Sequence, residues 1–229
     1  MKYLPTSVTC YQALTMGFVL LLAVATTGMA ISDEKADEGF VSLFDGKTLA
    51  GWTGSTDSYK VEEGTIVCVS GSSGNLLTEK EYANFVIRFE FKLTDGANNG
   101  LGVHCPLQAK GNLHLTGTEI QILDDAAEKH KTIKAYQHHG SVYGIVAAKP
   151  GHLKPVGEWN TEEVTCDGRH IKVVLNGVTI VDADIDKASA KGTLDASEHP
   201  GLKLTKGHLG FLGHGDRIDV RNIRLKELP

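Results

Sequence analysis

The chain has 229 residues, 41% of them hydrophobic, with 26 glycines, 6 prolines and a formal charge of −5. This length suits one domain with a substantial core, and the mild acidic balance argues against a nucleic-acid partner, which needs a clustered basic face. Frequent glycine among short apolar runs favours strands and turns over helices.

Residues 1–30 read as a signal peptide. Lys2 is the one charged residue before Asp33, the apolar run Met16 to Ala25 follows, and Gly28-Met29-Ala30 puts small residues at a cleavage site. The run is too short to span a bilayer, so no stable membrane anchor is expected and the product is exported, to the periplasm or beyond. Residues 31–38 form a polar, flexible mature terminus, and 39–229 form the domain. Removing the leader takes Cys10 with it. Cys68, Cys105 and Cys166 remain, an odd number without zinc-ligand spacing, best read as small buried hydrophobes.

Along the domain, Tyr59 to Val69 forms a hairpin about Glu63-Gly64, and the run Ser70 to Asn75 reads as a loop. Phe85 to Leu93 alternates strictly: Ile87, Phe89, Phe91 and Leu93 share a buried face, and Val86, Arg88, Glu90 and Lys92 a wet one. Gly100 to His104 is a strand with Leu101 and Val103 inward and Gly100, Gly102 and His104 outward. Thr118 to Leu123 pairs Ile120 with Ile122 on the core face and Glu119 with Gln121 on the other, about 7 Å apart at strand spacing. A polar crossover, with one or two helical turns between Ala126 and Ala135, leads to a second strand near Ser141 to Val146. Asp167-Gly168 and Asn176-Gly177 turn successive strands back on themselves. Asp186 to Ala190 has helix potential, and Gly207 to His214 and Ile218 to Leu225 are the last strands. Trp52 and Trp159 are expected as buried anchors. Short antiparallel strands joined by glycine turns imply an all-β sandwich of jelly-roll type.

Three of these strands carry glycine plus an ionisable residue opposite an apolar face. In one sheet they would make a low glycine floor beneath His104, Glu119, Gln121 and His214, the form of a carbohydrate or small-polyol site; otherwise they are unrelated residues on the wet faces that antiparallel sheets commonly leave. No nucleophile elbow, phosphate loop or dinucleotide fingerprint occurs. Asp124-Asp125 lacks the acidic spacing of an EF-hand. No cofactor is required by these motifs, and a divalent ion such as calcium, held by carboxylates and backbone carbonyls, stays open.

The segments FVSLFDGKTLAGW (Phe40 to Trp52), Asn98-Asn99-Gly100, EIQILDD (Glu119 to Asp125), HGSVYG (His139 to Gly144), GEWN (Gly157 to Asn160), LNGV (Leu175 to Val178) and GHGDRIDVRNIRL (Gly213 to Leu225) run in order through the domain. With them the chain resembles the 3-keto-disaccharide hydrolase family. That resemblance implies a concanavalin A-like jelly roll and an exported hydrolase or lyase acting on sugars already oxidised at C3. A ketone at C3 acidifies the C2 proton, so one base, one acid for the leaving oxygen and donors for the enolate suffice. On this reading Glu119 and His214 are the catalytic pair. Gln121, His139 and Tyr143 bind substrate or stabilise the enolate, as does His104, which stands where many members carry Arg. The competing readings are a non-catalytic, lectin-like carbohydrate-binding module and an ordinary endo-glycosidase of the same fold.

Overall fold

A computed structural model describes residues 1, 38–108 and 112–229; the leader and most of the terminus expected at 31–38 lie outside them. The strict alternation of Phe85 to Leu93 becomes a nine-residue strand, β6 (Phe85–Leu93), whose five odd-numbered side chains are buried and whose four even-numbered ones are half-buried. Around it lie β1 (Val41–Ser42), β3 (Tyr59–Glu62), β4 (Thr65–Cys68), β9 (Trp159–Asp167), β10 (His170–Leu175), β11 (Val178–Asp184) and β13 (Ile218–Glu227). These eight strands run in the order β11-β10-β9-β6-β13-β4-β3, with β1 also on β13. A second sheet has the order β2-β5-β12-β7-β8, made of β2 (Trp52–Gly54), β5 (Ser73–Tyr82), β7 (Asn98–Cys105), β8 (Thr118–Leu123) and β12 (Gly207–His214). Every pairing in both sheets is antiparallel.

The sheets pack face to face as a concanavalin A-like jelly roll, and residues 39–229 form one compact unit. Ile87, Phe89 and Phe91 from one sheet meet Leu101, Ile120, Ile122 and Phe211 from the other in a single core. Phe89 meets the Phe211 ring edge-on at 5.7 Å, and Trp52 stacks on Phe211 at 6.0 Å. The Trp52 indole donates to the Leu43 carbonyl at 2.8 Å, which satisfies its one polar atom. Trp159 is not buried as expected: its ring lies half-exposed on the outer face of the larger sheet, under Lys92 and Arg221.

Two elements differ from the sequence reading. The expected loop at Ser70 to Asn75 ends at Ser73, where β5 begins; its adjacent Leu76 and Leu77 break period-two alternation, and the ladders to β2 and β12 hold it as a strand. The strand expected near Ser141 to Val146 is irregular, with Val142 bridging Ile120 and Val146. Gly140 and Gly144, at φ +76° and +74°, turn the chain where a regular strand would run straight. Among the described residues two short α-helices accompany the sheets: α1 (Leu113–Thr116) and α2 (Ile185–Ser189).

Candidate active site

The site lies on the outer face of the five-stranded sheet. There β7 runs between β12 and β8, with Gly100 opposite Leu212 on one side and Gln121 on the other. Glu119 on β8 and His214 on β12 are therefore two strands apart, about 9–10 Å at sheet spacing. They meet nonetheless: His214 Nε2 is 3.3 Å from Glu119 Oε1. Gly100 makes this possible. A Cβ on Gly100 would stand 2.0 Å from Glu119 Oε1 and 2.6 Å from its Cδ, so the carboxylate lies in the space that any side chain there would fill. The glycine floor expected from the sequence thus has a definite role at Gly100.

The Glu119 side chain is 2% exposed and that of His214 40%. The bonded Glu119 carboxylate holds the His214 imidazolium above its usual pKa, against burial, which pulls it down; the Glu119 and Asp216 charges add to the rise. A cavity of about 390 Å³ opens beside the pair, lined by Gly74, Asn75, Asn112, Leu113, His114, Glu119, Leu212, Gly213 and His214. Glu119 is the one carboxylate among these lining residues.

His104 is not at this site. β7 carries a bulge, with Cys105 paired to His208 and Gly102 to Gly210, so that two β7 residues face Leu209 alone. His104 sits in that bulge at φ +51°. The left-handed residue reverses the side-chain phase expected from simple alternation. Its ring meets the Ala83 carbonyl at 2.8 Å, lies edge-on to Phe85 at 6.2 Å, and is 3.9 Å from Cys166 Sγ on the larger sheet. Burial lowers its pKa. Cys105 takes the outward place instead, beside Leu77, Leu113 and Leu212, and burial pushes its thiol up to about 12. All three cysteines of the domain are free and buried.

His139 is likewise turned inward. Its ring stacks on Phe91 at 5.0 Å, and Nε2 lies 2.9 Å from Glu162 Oε2 on β9, with both side chains essentially inaccessible. The two atoms are at contact distance but off line for a hydrogen bond. Gln121 shares the Glu119 face, yet it is buried, donates to Asn98 Oδ1 at 3.2 Å and stays outside the cavity lining. The crossover residues that seat His139 also clasp the free edge of β8: Gly140 N donates to Gln121 O, and Tyr143 N to Glu119 O at 2.9 Å. Asp124 caps this corner by accepting from Gly96 N and Ala126 N, and Asp125 accepts from His139 N.

Tyr143 does reach the site region. Its ring is 5.2 Å from His114 and 5.6 Å from Tyr136. Its hydroxyl accepts from Gln137 Nε2 at 3.1 Å, and burial raises its pKa. His114 itself was not singled out in the sequence; the Leu113-His114-Leu115 alternation just before β8 is the signal that could have found it. Asp195 and His199 were missed too. They pair at 3.0 Å, nearly buried, and pack on Gly144, where a Cβ would stand 2.7 Å from Asp195 Oδ2. Among the described residues no group of three or more His, Cys, Asp or Glu side chains gathers at metal-ligand spacing.

The model of the 3-keto-alpha-glucoside-1,2-lyase-like domain matches residues 39–226. The chain is 26% identical over 231 residues to a 3-keto-disaccharide hydrolase of Bacteroides thetaiotaomicron, covering 83% of this chain and 79% of that protein. Two crystal structures of candidate glycosyl hydrolases from Parabacteroides distasonis superpose well. One has TM-score 0.75 at 28% identity, covering 86% of this chain and 97% of its own. The other has 0.72 at 32% identity, covering 82% and 99%. A carbohydrate-binding module from Bacillus subtilis shares the fold alone, at TM-score 0.53 and 13% identity, covering 77% of this chain and 96% of its own. With its model spanning nearly all of the sandwich, this chain belongs to the 3-keto-alpha-glucoside-1,2-lyase-like domain family.

Proposed function

We propose that the protein is an exported carbohydrate-active enzyme that cleaves 3-keto-glycosides by elimination across C1 and C2. The observation that carries this reading is the Glu119–His214 pair at 3.3 Å over Gly100, beside a cavity sized for a sugar. Glu119 takes the C2 proton as a carboxylate, and the C–H electron pair delocalises onto the C3 oxygen as an enolate. The enolate re-forms the ketone and a C1=C2 double bond while the C1–O bond breaks. The His214 imidazolium gives its proton to the departing oxygen. Glu119 is left protonated and His214 neutral, and one proton passing along their contact restores both. Water added across C1=C2 gives the 3-keto sugar, so the net reaction is hydrolysis; release before that step makes it a lyase.

An ordinary glycosidase uses two carboxylates flanking the scissile bond, and the cavity lining offers Glu119 alone. A lectin-like module needs no such acid–base pair. Incubation with both anomers of p-nitrophenyl 3-keto-glucoside and with the unoxidised parents separates the three readings. Release of nitrophenol from a keto sugar alone supports the proposal. Cleavage of the parents points to an ordinary glycosidase, and saturable binding without cleavage to a lectin. Export is tested by fractionating cells that express the full chain; an uncleaved product confined to the cytoplasm overturns it.

A further inference from the structure

The reaction requires a donor at the C3 oxygen, where negative charge develops, and neither Glu119 nor His214 can fill that place while acting on C2 and C1. We infer that His114 is a catalytic residue that donates its imidazole N–H to the C3 oxygen of the substrate. This rests on the proposed 3-keto-glycoside chemistry and adds to it a residue that the acid–base pair does not include.

The position follows from packing. Leu113 is buried in a small apolar cluster with Leu77, Cys105 and Leu212 on the outer face of the five-stranded sheet. This pins α1 to that face, and the next residue, His114, lines the cavity shared by Glu119 and His214. Behind α1 the turn Pro200–Lys203 packs tightly: a Cβ on Gly201 would stand 2.1 Å from Gly117 O, so the end of α1 cannot move outward. The Tyr143 ring lies 5.2 Å from His114 and holds its other side. A bound sugar in this cavity is therefore met by Glu119 and His214 from the sheet and by His114 from α1.

The protonation states agree. Burial is the largest influence on His114 and lowers its pKa; His199 and His214 lower it further, against the opposing charges of Glu119 and Asp195. His214, bonded to Glu119, is raised. Two imidazoles in one cavity are thus pushed apart, one toward the neutral form and one toward the charged form, and divergent environments of this kind separate roles in acid–base sites. A neutral imidazole can serve as the electrophile for proton abstraction beside a carbonyl. It polarises the ketone without giving up its proton, so no further proton donor enters the cycle.

The test uses the full-length protein and the two anomers of p-nitrophenyl 3-keto-glucoside, with nitrophenol release and C2 hydrogen–deuterium exchange in D2O followed separately. Loss of one preorganised donor lowers kcat by about 10²–10³-fold, so His114→Ala is expected to show that loss in both readouts with KM little changed. His114→Gln keeps an N–H donor and is expected to recover at least about tenfold of it. His114→Glu, of the same length as Gln but an acceptor when ionised, is the donor-free comparison if the Ala variant does not fold. Wild-type kcat in the Ala or Glu variant overturns the role of His114 alone. Gln as inactive as Ala or Glu overturns the donor assignment. Neither turnover nor C2 exchange by the unmodified protein removes the substrate class as well.

Discussion

At the scale of single residues, the functional weight falls on a contact between two side chains of unequal exposure. Glu119→Gln keeps the shape and removes the base. We expect kcat on a 3-keto-glucoside to fall at least about 10²-fold, the lower range for general-base catalysis; full activity in a stopped assay would remove Glu119 from the mechanism. The same substitution has a pH signature. Glu119 raises the His214 pKa, so as acid His214 is competent below that raised value and lost as pH climbs through it. The alkaline limb of kcat/KM should move to lower pH in Glu119→Gln, measured on whatever activity remains. Stability follows with the same sign. The contribution of this pair is complete below the unfolded histidine pKa of about 6.5 and declines as pH rises through the folded value. Chemical denaturation across that range should show the decline in the wild type and a flatter profile in the variant.

At the scale of elements, the site exists because β7 is bare where Glu119 crosses it. Gly100→Ala places a Cβ 2.0 Å from Glu119 Oε1. The backbone there is not in the left-handed region, so the cost falls on the Glu119 side chain and not on the strand. The expected outcome is a large loss of kcat with a melting temperature within a few degrees of wild type. Retained activity would show that Glu119 need not hold this pose. Glycines on this strand were legible in the sequence as a floor, and so was the phase of β8. The bulge was not. Alternation carried through Gly100, Gly102 and His104 sends the histidine outward, but one left-handed residue at His104 reverses the phase. Nothing local announces it, because the extra residue is set by the register with β12. β5 was obscured for a related reason: its two neighbouring leucines face opposite sides of one sheet, Leu76 in the main core and Leu77 in the outer cluster.

At the scale of the whole molecule, the two sheets are joined by apolar packing and also by His139 and Glu162, which meet at 2.9 Å in the interior. The His139 ring also stacks on Phe91 and accepts from Leu123 N at Nδ1, and truncating a buried ring of this kind typically costs about 3–5 kcal/mol. His139→Ala is expected to destabilise by that order in urea unfolding, and His139→Ala with Glu162→Leu to cost much less than the sum of the single changes. Additive losses would show that the two groups do not depend on each other. Cys68, Cys105 and Cys166 are all free, so reductant should leave the melting temperature unchanged, and a reductant-sensitive melt would contradict unpaired thiols in the domain. By itself the sequence determined the sandwich, the length and phase of β6 and β8, the placement of Glu119 opposite Ile120, and the hairpin turns, because strand periodicity and glycine turn chemistry are local properties. Only the tertiary structure decided which histidines face the cavity. It carried His104 and His139 into the interior, set His214 against Glu119 and placed His114 on the wall of the cavity beside them. Such convergence depends on strand order, register and the packing of α1, which join residues distant in the chain and leave no period within it.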